Sequence, residues 1–138
     1  MKRYLFFAVL LVALISCGNN GSNNKTVHKE FEMDGVWKGT LPCADCPGIE
    51  YILTLQPEGY YKLTVIYIDG EGDGIDIELY ADGKVVRTSK NNSFFLRLLP
   101  PPGNDTIYFK IVDGDTLRLV NKDFEESQNP HLYNIVKQ

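Results

Sequence analysis

Hydrophobic and polar residues alternate with a period of two along most of the chain after residue 36, and short groups of Gly, Pro, Asn and Asp interrupt the alternation. This pattern is typical of β-strands joined by tight turns. Asp82-Gly83 and Asp113-Gly114 are strong hairpin signals. The pattern predicts about nine short strands, at residues 37–41, 50–55, 60–68, 75–80, 84–89, 94–99, 105–112, 116–120 and 131–136.

The segment 75–80 shows the clearest alternation, because Ile75, Ile77 and Leu79 fall on one face and polar residues or Tyr on the other. Asn91-Asn92 predicts a further turn, and residues 121–130 read as a polar connection. No segment has a convincing helical period, and the connections are shorter than parallel strands require. We therefore expect an all-β, antiparallel meander.

So many short strands must protect their edges, and closure into a barrel is the surest way to do so. The sequence predicts an antiparallel up-and-down barrel of about eight or nine strands. A two-sheet sandwich is the alternative, since periodicity alone does not separate the two folds.

The first sixteen residues have the features of a secretory signal rather than of a fold. Lys2 and Arg3 precede an apolar run at 4–15, which is shorter than the roughly 20 residues needed to span a membrane. The run ends in Leu-Ile-Ser16-Cys17, which resembles a bacterial lipobox. We expect residues 1–16 to be a lipoprotein signal peptide and Cys17 to be lipidated. An ordinary signal peptide with a coincidental Cys is the alternative.

Residues 17–33 are expected to form a flexible tether behind the lipidated cysteine, because the segment after Cys17 is rich in Gly, Asn and Ser. Gly18 stands where an Asp would retain enterobacterial lipoproteins at the inner membrane, and this favours the outer membrane. The whole chain has a net charge of -4, and loss of Lys2 and Arg3 leaves 12 basic against 18 acidic residues. This acidity disfavours nucleic acid as a partner.

Two cysteines remain after Cys17, and they form a CxxC motif, Cys43 and Cys46, between Pro42 and Pro47. One interpretation is a structural disulfide, which an oxidising compartment would favour. A thioredoxin-like redox pair is a second, but the residues after Cys46 have a strand pattern and offer no helix N-terminus to lower a thiol pKa.

A third interpretation of the motif is a metal site, and a fourth is a switch between dithiol and disulfide states. Two thiolates suit a soft ion such as Cu(I), with Met33 or His28 as an additional ligand. A structural zinc site is unfavourable, because it would need both His28 and His131 without a recognisable ligand spacing.

Residues 69–76 resemble the opening of an EF-hand loop, but Tyr80 replaces the final bidentate Glu, so a solvated hairpin is the better interpretation.

The run from Gly39 to Ile49, Gly-Thr-Leu-Pro-Cys-Ala-Asp-Cys-Pro-Gly-Ile, resembles the signature of the NlpE family of outer-membrane lipoproteins, in their N-terminal domain. Trp37 precedes it by the expected few residues, and residues 105–120 with Tyr133 and Asn134 resemble later parts of the domain. The likeness covers about 34–137. Longer family members carry a second domain with its own CxxC, whereas this sequence contains one CxxC, Cys43 and Cys46, so roles that depend on the second domain are not expected to transfer.

The resemblance implies a lipocalin-like β-barrel over residues 34–138 and a role in copper resistance or in signalling envelope stress to a two-component sensor. By matching position, the resemblance transfers Pro42, Cys43, Cys46, Pro47 and Gly48. Asp45, between the two cysteines, completes the predicted motif loop.

We expect a non-enzymatic, lipid-anchored outer-membrane protein that works through this loop, with Cu(I) as a candidate ligand and an envelope sensor protein as a candidate partner. The alternative is a lipocalin-like carrier of a small hydrophobic ligand, in which the CxxC disulfide is structural.

Overall fold

The computed structural model describes residues 33–69 and 77–138. Eight antiparallel strands form a closed barrel, in which each strand pairs with the next along the chain and the last pairs with the first. The strands are β1 (Gly35–Leu41), β2 (Ile49–Leu55), β3 (Tyr60–Tyr67), β4 (Ile77–Lys90), β5 (Ser93–Leu99), β6 (Ile107–Ile111), β7 (Thr116–Val120) and β8 (Asn134–Lys137). The predicted barrel is confirmed, and the sandwich alternative is wrong.

The interior of the barrel is filled by the chain's own side chains. Alternate residues of each strand point inward, and the largest of them are completely buried, including Trp37, Leu53, Leu96, Phe109 and Ile135 at 0% exposure. No polar or charged residue among those described is buried. Each fully buried side chain of this size contributes about 1.5–3 kcal/mol to the free energy of unfolding.

Two of the predicted turns are confirmed. Asn91 and Asn92 connect β4 to β5 with positive φ angles of 50° and 61°, a conformation that Asn tolerates better than most residues. In the connection from β6 to β7, the carboxylate of Asp113 accepts a hydrogen bond from the backbone N–H of Asp115 at 2.9 Å. These short polar turns keep sequential strands adjacent.

The predicted hairpin at Asp82-Gly83 is wrong, because β4 runs straight through both residues and the predicted strands 75–80 and 84–89 are one element. Gly83 pairs with Tyr61 of β3. A Cβ atom on Gly83 would lie 2.1 Å from the carbonyl oxygen of Leu99. The glycine therefore permits a close approach of β5 inside a strand, which is the other common role of Gly in sheets.

The first residues of β4 are also less buried than their alternation suggests. Ile77 and Leu79 lie on the inward side but are 59% and 51% exposed, because β5 pairs with β4 only from Lys84 onward. Ile75, and with it the start of the predicted strand, lies outside the described residues.

The predicted last strand at 131–136 is also corrected. A short 3₁₀ helix, Pro130–Tyr133, occupies the start of that range, and β8 begins only after it.

The polar connection between β7 and β8 is well anchored to the outside of the barrel. Phe124 lies on Phe95 of β5 with ring centroids 4.6 Å apart, so that this outward-facing Phe95 is only 4% exposed. Glu126 accepts hydrogen bonds from Arg118 and Lys110, and the bond from Arg118 is the main reason that the pKa of Glu126 is lowered.

Within the two described ranges, no helix has the length and hydropathy that crossing a membrane requires.

Replacement of Gly83 by Ala tests the close approach of β4 and β5. We expect Gly83→Ala to lower the free energy of unfolding by about 1–3 kcal/mol, because the new methyl group overlaps the backbone of Leu99. Gly114→Ala is the matched control, since no atom lies within 4 Å of its Cβ position. Urea denaturation measures both variants, and equal effects would contradict the packing described for Gly83.

Candidate functional site

The CxxC motif lies in the loop between β1 and β2, at the end of the barrel that also carries the connections from β3 to β4, β5 to β6 and β7 to β8. Cys43 and Cys46 are joined by a disulfide, with an S–S distance of 2.02 Å and Cα atoms 5.2 Å apart. The bond closes residues 43–46 into a small ring that projects from the rim.

Both stems of this loop are fixed to the barrel. Leu41 at the end of β1 is 3% exposed and pairs with Ile49 at the start of β2. The carbonyl oxygen of Gly48 accepts a hydrogen bond from the backbone N–H of Ile68 at 3.0 Å, which ties the loop to the residue after β3. A Cβ atom on Gly48 would lie 2.6 Å from Cγ2 of Thr40, so a larger residue here would require the Thr40 side chain to move.

The tip of the loop, in contrast, faces solvent. Pro42, Ala44, Asp45 and Pro47 are exposed, and the two cysteines are half-buried. Proline fixes φ and has no N–H to donate, so the two prolines restrict the backbone on either side of the ring without extending the ladder between β1 and β2. The disulfide is therefore accessible to a small reductant or to a thiol on another protein.

Each sulfur atom has a polar neighbour within the loop. Sγ of Cys43 lies 3.5 Å from Oδ1 of Asp45, and Sγ of Cys46 lies 3.3 Å from the carbonyl oxygen of Gly48. A disulfide carries no sulfur-bound proton, so in the oxidised state these atoms are in contact but do not form hydrogen bonds. Reduction would give each sulfur a proton with an acceptor already beside it.

The ligating atoms of Cys43, Asp45 and Cys46 all lie within 4.8 Å of one another. Two sulfur donors fit a soft ion such as Cu(I), whereas the single carboxylate is a hard ligand that adds charge rather than affinity for that ion. The disulfide withholds both thiolates, so the donor set becomes available only after reduction.

The other residues considered as ligands are not brought to this loop. Met33 precedes β1 and packs against the barrel core, at the end of the seven-residue β1 remote from the cysteines, a separation of about 20 Å. His131 is exposed in the 3₁₀ helix before β8. His28 and the lipobox cysteine Cys17 lie outside the described residues.

The loop also lacks the element that activates thiols in thioredoxin-like proteins. In those proteins the first cysteine lies at a helix N-terminus. Here β2 begins at Ile49, three residues after Cys46, and no α-helix occurs among residues 33–69 and 77–138. The arrangement favours the interpretations of the motif as a disulfide, a metal site or a switch.

A second feature at the same end of the barrel was not predicted. A cleft of about 620 Å³ opens between β4 and the residues that follow β5, with apolar walls that include Leu63, Val65 and Ile107. Tyr61 also lines it, and its hydroxyl group is buried without a hydrogen-bond partner. Burial, with a smaller contribution from Asp82, raises the pKa of Tyr61 above its ordinary value. In the sequence, the run Pro100-Pro101-Pro102, which ends β5, is the feature from which this cleft could have been predicted.

The fold and the loop together define a class of protein, a closed eight-stranded antiparallel barrel with a disulfide-closed CxxC loop at its rim. The family model of the NlpE N-terminal domain matches residues 37–129. The chain therefore belongs to the NlpE N-terminal domain family, and the resemblance noted in the sequence is confirmed.

Known proteins place the chain in the same group. Lipoprotein NlpE of Escherichia coli K12 is 32% identical over 71 residues, which are 47% of this chain and 30% of that protein. The crystal structure of the Cpx pathway activator NlpE from E. coli matches with a TM-score of 0.52 and 28% identity, over 70% of this chain and 47% of that one.

A candidate lipoprotein from Shewanella oneidensis matches with a TM-score of 0.58 and 23% identity over 78% of this chain and 90% of its own, a likeness that shows the fold alone. The chain thus spans less than half the length of the E. coli proteins it matches.

Replacement of both loop cysteines tests how much the disulfide contributes to stability. We expect Cys43→Ser with Cys46→Ser to lower the free energy of unfolding by about 2 kcal/mol, because a ring of four residues restricts the unfolded chain only modestly. The measurement is urea denaturation, with Ala44→Ser as the loop control. Failure of the double variant to fold would contradict the view that the barrel core, rather than the loop, holds the fold.

Proposed function

We propose that this chain is a non-enzymatic lipoprotein of the cell envelope, anchored in the outer membrane through Cys17, whose CxxC loop responds to thiol redox state or to Cu(I). The observation that carries the proposal is the exposed disulfide ring, which is fixed on a rigid barrel rim and contains the one cluster of potential metal ligands within residues 33–69 and 77–138. Membership of the NlpE N-terminal domain family supports the same reading.

The chemistry of the switch follows from the loop. A thiol reductant, such as the dithiol of an envelope oxidoreductase, supplies two electrons and two protons, converts the disulfide into two thiols and is itself oxidised to a disulfide. The Cys43 thiol then lies beside Asp45, and the Cys46 thiol beside the Gly48 carbonyl. Cys43 and Cys46 would hold Cu(I) as thiolates, releasing their protons. The two states present different loop surfaces to a partner.

The proposed partner is an envelope sensor protein. The E. coli relative is described as a Cpx pathway activator, and by analogy we propose that this chain signals envelope stress or copper load to a two-component sensor. The exposed loop tip, with Asp45 as its charged residue, is the surface that changes with redox state.

A Cu(I) titration of the reduced full-length protein under anaerobic conditions, in competition with a chromogenic chelator, tests metal binding. We expect one equivalent to bind, and Cys43→Ser with Cys46→Ser to weaken the affinity at least 100-fold. Met33→Leu is the matched control and should leave the affinity unchanged, since Met33 packs at the other end of β1. An unchanged affinity in the double serine variant would refute copper binding by the motif.

The proposed domain organisation is a signal peptide at residues 1–16, a lipidated Cys17 with a tether over 17–33, and the barrel over 34–138. The lipobox-like sequence before Cys17 supports it. Two or three acyl chains on one residue form a stable anchor, where a single chain binds only marginally.

Intact-mass spectrometry of the membrane-extracted protein tests the anchor. We expect a chain that begins at Cys17 and carries a diacylglyceryl group, with Cys17→Ala remaining at the precursor mass. Sucrose-gradient fractionation of the wild-type protein then assigns the membrane. A cleaved, unlipidated wild-type chain would refute the anchor but leave the loop chemistry untouched.

Carriage of a small hydrophobic molecule is the second candidate function, and the rim cleft with the buried, unpartnered Tyr61 hydroxyl favours it. Its volume of about 620 Å³ falls within the range of ligand pockets, roughly 300–1,000 Å³. The barrel centre is filled by Trp37, Leu53 and Phe109, so such a ligand could occupy only the rim. Saturable binding of a fatty acid in isothermal titration calorimetry, lost in Leu79→Asp, would support this function over the first, since Leu79 lines the cleft and is 51% exposed.

A further inference from the structure

The first half of β4 has one paired edge and one open edge. On one side Ile77 to Lys84 pair with β3. On the other side β5 pairs only with Lys84 to Lys90 and its last residue, Leu99, approaches Gly83, so within the described residues no strand lies alongside 77–82. An open strand edge is a template for pairing with another chain.

The prolines after β5 explain why the chain does not close this edge itself. If the register between Lys84 and Leu99 continued, Gly83, Asp82 and Ala81 would lie opposite Pro100, Pro101 and Pro102. Proline has no N–H to donate to a ladder. The chain therefore turns away toward β6, and the cleft remains between β4 and this proline segment.

The backbone groups that face the open side can be identified. The N–H of Val85 bonds to the carbonyl oxygen of Gly59 at 2.8 Å, on the β3 side. Because N–H and C=O groups change sides at each residue of an antiparallel strand, Glu78, Tyr80 and Asp82 direct theirs to the open side. Three alternate residues thus offer six backbone hydrogen-bonding groups along an edge of about 20 Å.

The side chains around this edge indicate the chemistry of an occupant. Toward the barrel, Leu79, Val65 and Ile107 form an apolar wall. Toward solvent, Glu78 and Asp82 flank the exposed Tyr80, and Asp105 lies across the cleft. The stretch 69–82 contains six acidic residues and no basic residue. A second copy of this chain would bring two such stretches together, so self-pairing is electrostatically unfavourable.

We propose that the open edge of β4 binds an extended segment of a partner protein, in which apolar and basic residues alternate, by adding that segment to the sheet as a strand. Its apolar residues cover the cleft, its basic residues lie beside Glu78 and Asp82, and its backbone bonds to Glu78, Tyr80 and Asp82. The inference deepens the proposed envelope-sensor role by naming the chemistry of the partner segment, and it does not depend on copper.

The test uses purified full-length protein without metal and a fluorescent seven-residue peptide of alternating valine and lysine. We expect saturable binding by fluorescence anisotropy, and protection of the Tyr80 and Asp82 amides from hydrogen exchange. The same peptide with N-methylated backbone amides should bind at least tenfold more weakly, because it keeps the charges and apolar groups but loses its donors. A peptide with glutamate in place of lysine should also bind at least tenfold more weakly.

Variants at Tyr80 separate edge pairing from other modes of binding. Tyr80→Pro removes an N–H from the open side only, so it should weaken peptide binding at least tenfold, whereas Tyr80→Thr keeps the N–H and should bind within threefold of wild type. Circular dichroism checks that both variants fold. If Tyr80→Pro does not fold, the amide protection pattern and the N-methylated peptide decide the question.

Four results would overturn the proposal: no binding, equal binding of the N-methylated peptide, amide protection elsewhere, or a dimer that Tyr80→Pro dissociates. Competition by a fatty acid without amide protection would assign the cleft to a small ligand instead. The Cys43→Ser, Cys46→Ser variant should bind the peptide as wild type does, so that failure of the loop chemistry and failure of the edge proposal remain distinguishable.

Discussion

The sheet closes on itself where β8 pairs with β1, and this closure holds both the core and the rim loops in place. Only Trp37 with Lys137 and Lys38 with Val136 pair across this seam, yet Trp37 and Ile135 beside it are fully buried. The ammonium group of Lys137 lies 5.1 Å from the Trp37 ring, and the backbone N–H of Gln138 bonds to Val36. Without closure, both strands would present open edges and the shared core would lose its wall.

Because the interior of the closed barrel is filled, a functional site can lie only at its ends. The end that carries the CxxC loop differs from the opposite end. At the opposite end, the connection through Asn91 and the one through Asp113 are tight turns. At this end lie the disulfide ring and the cleft beside β4. The hydrogen bond from Ile68 to Gly48 fixes the ring to the barrel. Reduction of the disulfide would therefore change a loop whose base is fixed to the barrel.

Much of the fold was predictable, because strand alternation and turn chemistry are local. Asn91-Asn92 and Asp113-Gly114 connect strands as expected, and the CxxC loop lies between two strands as its flanking pattern indicated. Gly83 was misread, since its requirement is a tertiary one: the carbonyl of Leu99 occupies the space a side chain would need. The short seam with β8, the remote position of Met33 and the open edge of β4 also depend on how strands far apart in sequence meet.

In the proposed function, the barrel is a rigid support, and the structural change on reduction of the disulfide is confined to the CxxC loop. Backbone amide chemical shifts, compared between the oxidised and the dithiol-reduced full-length protein, measure how far this change extends. We expect shift differences at residues 40–50 and at Ile68, whose N–H bonds to Gly48, with the amides of β5, β6 and β7 unchanged. Differences that spread through those three strands, or a loss of shift dispersion on reduction, would contradict it.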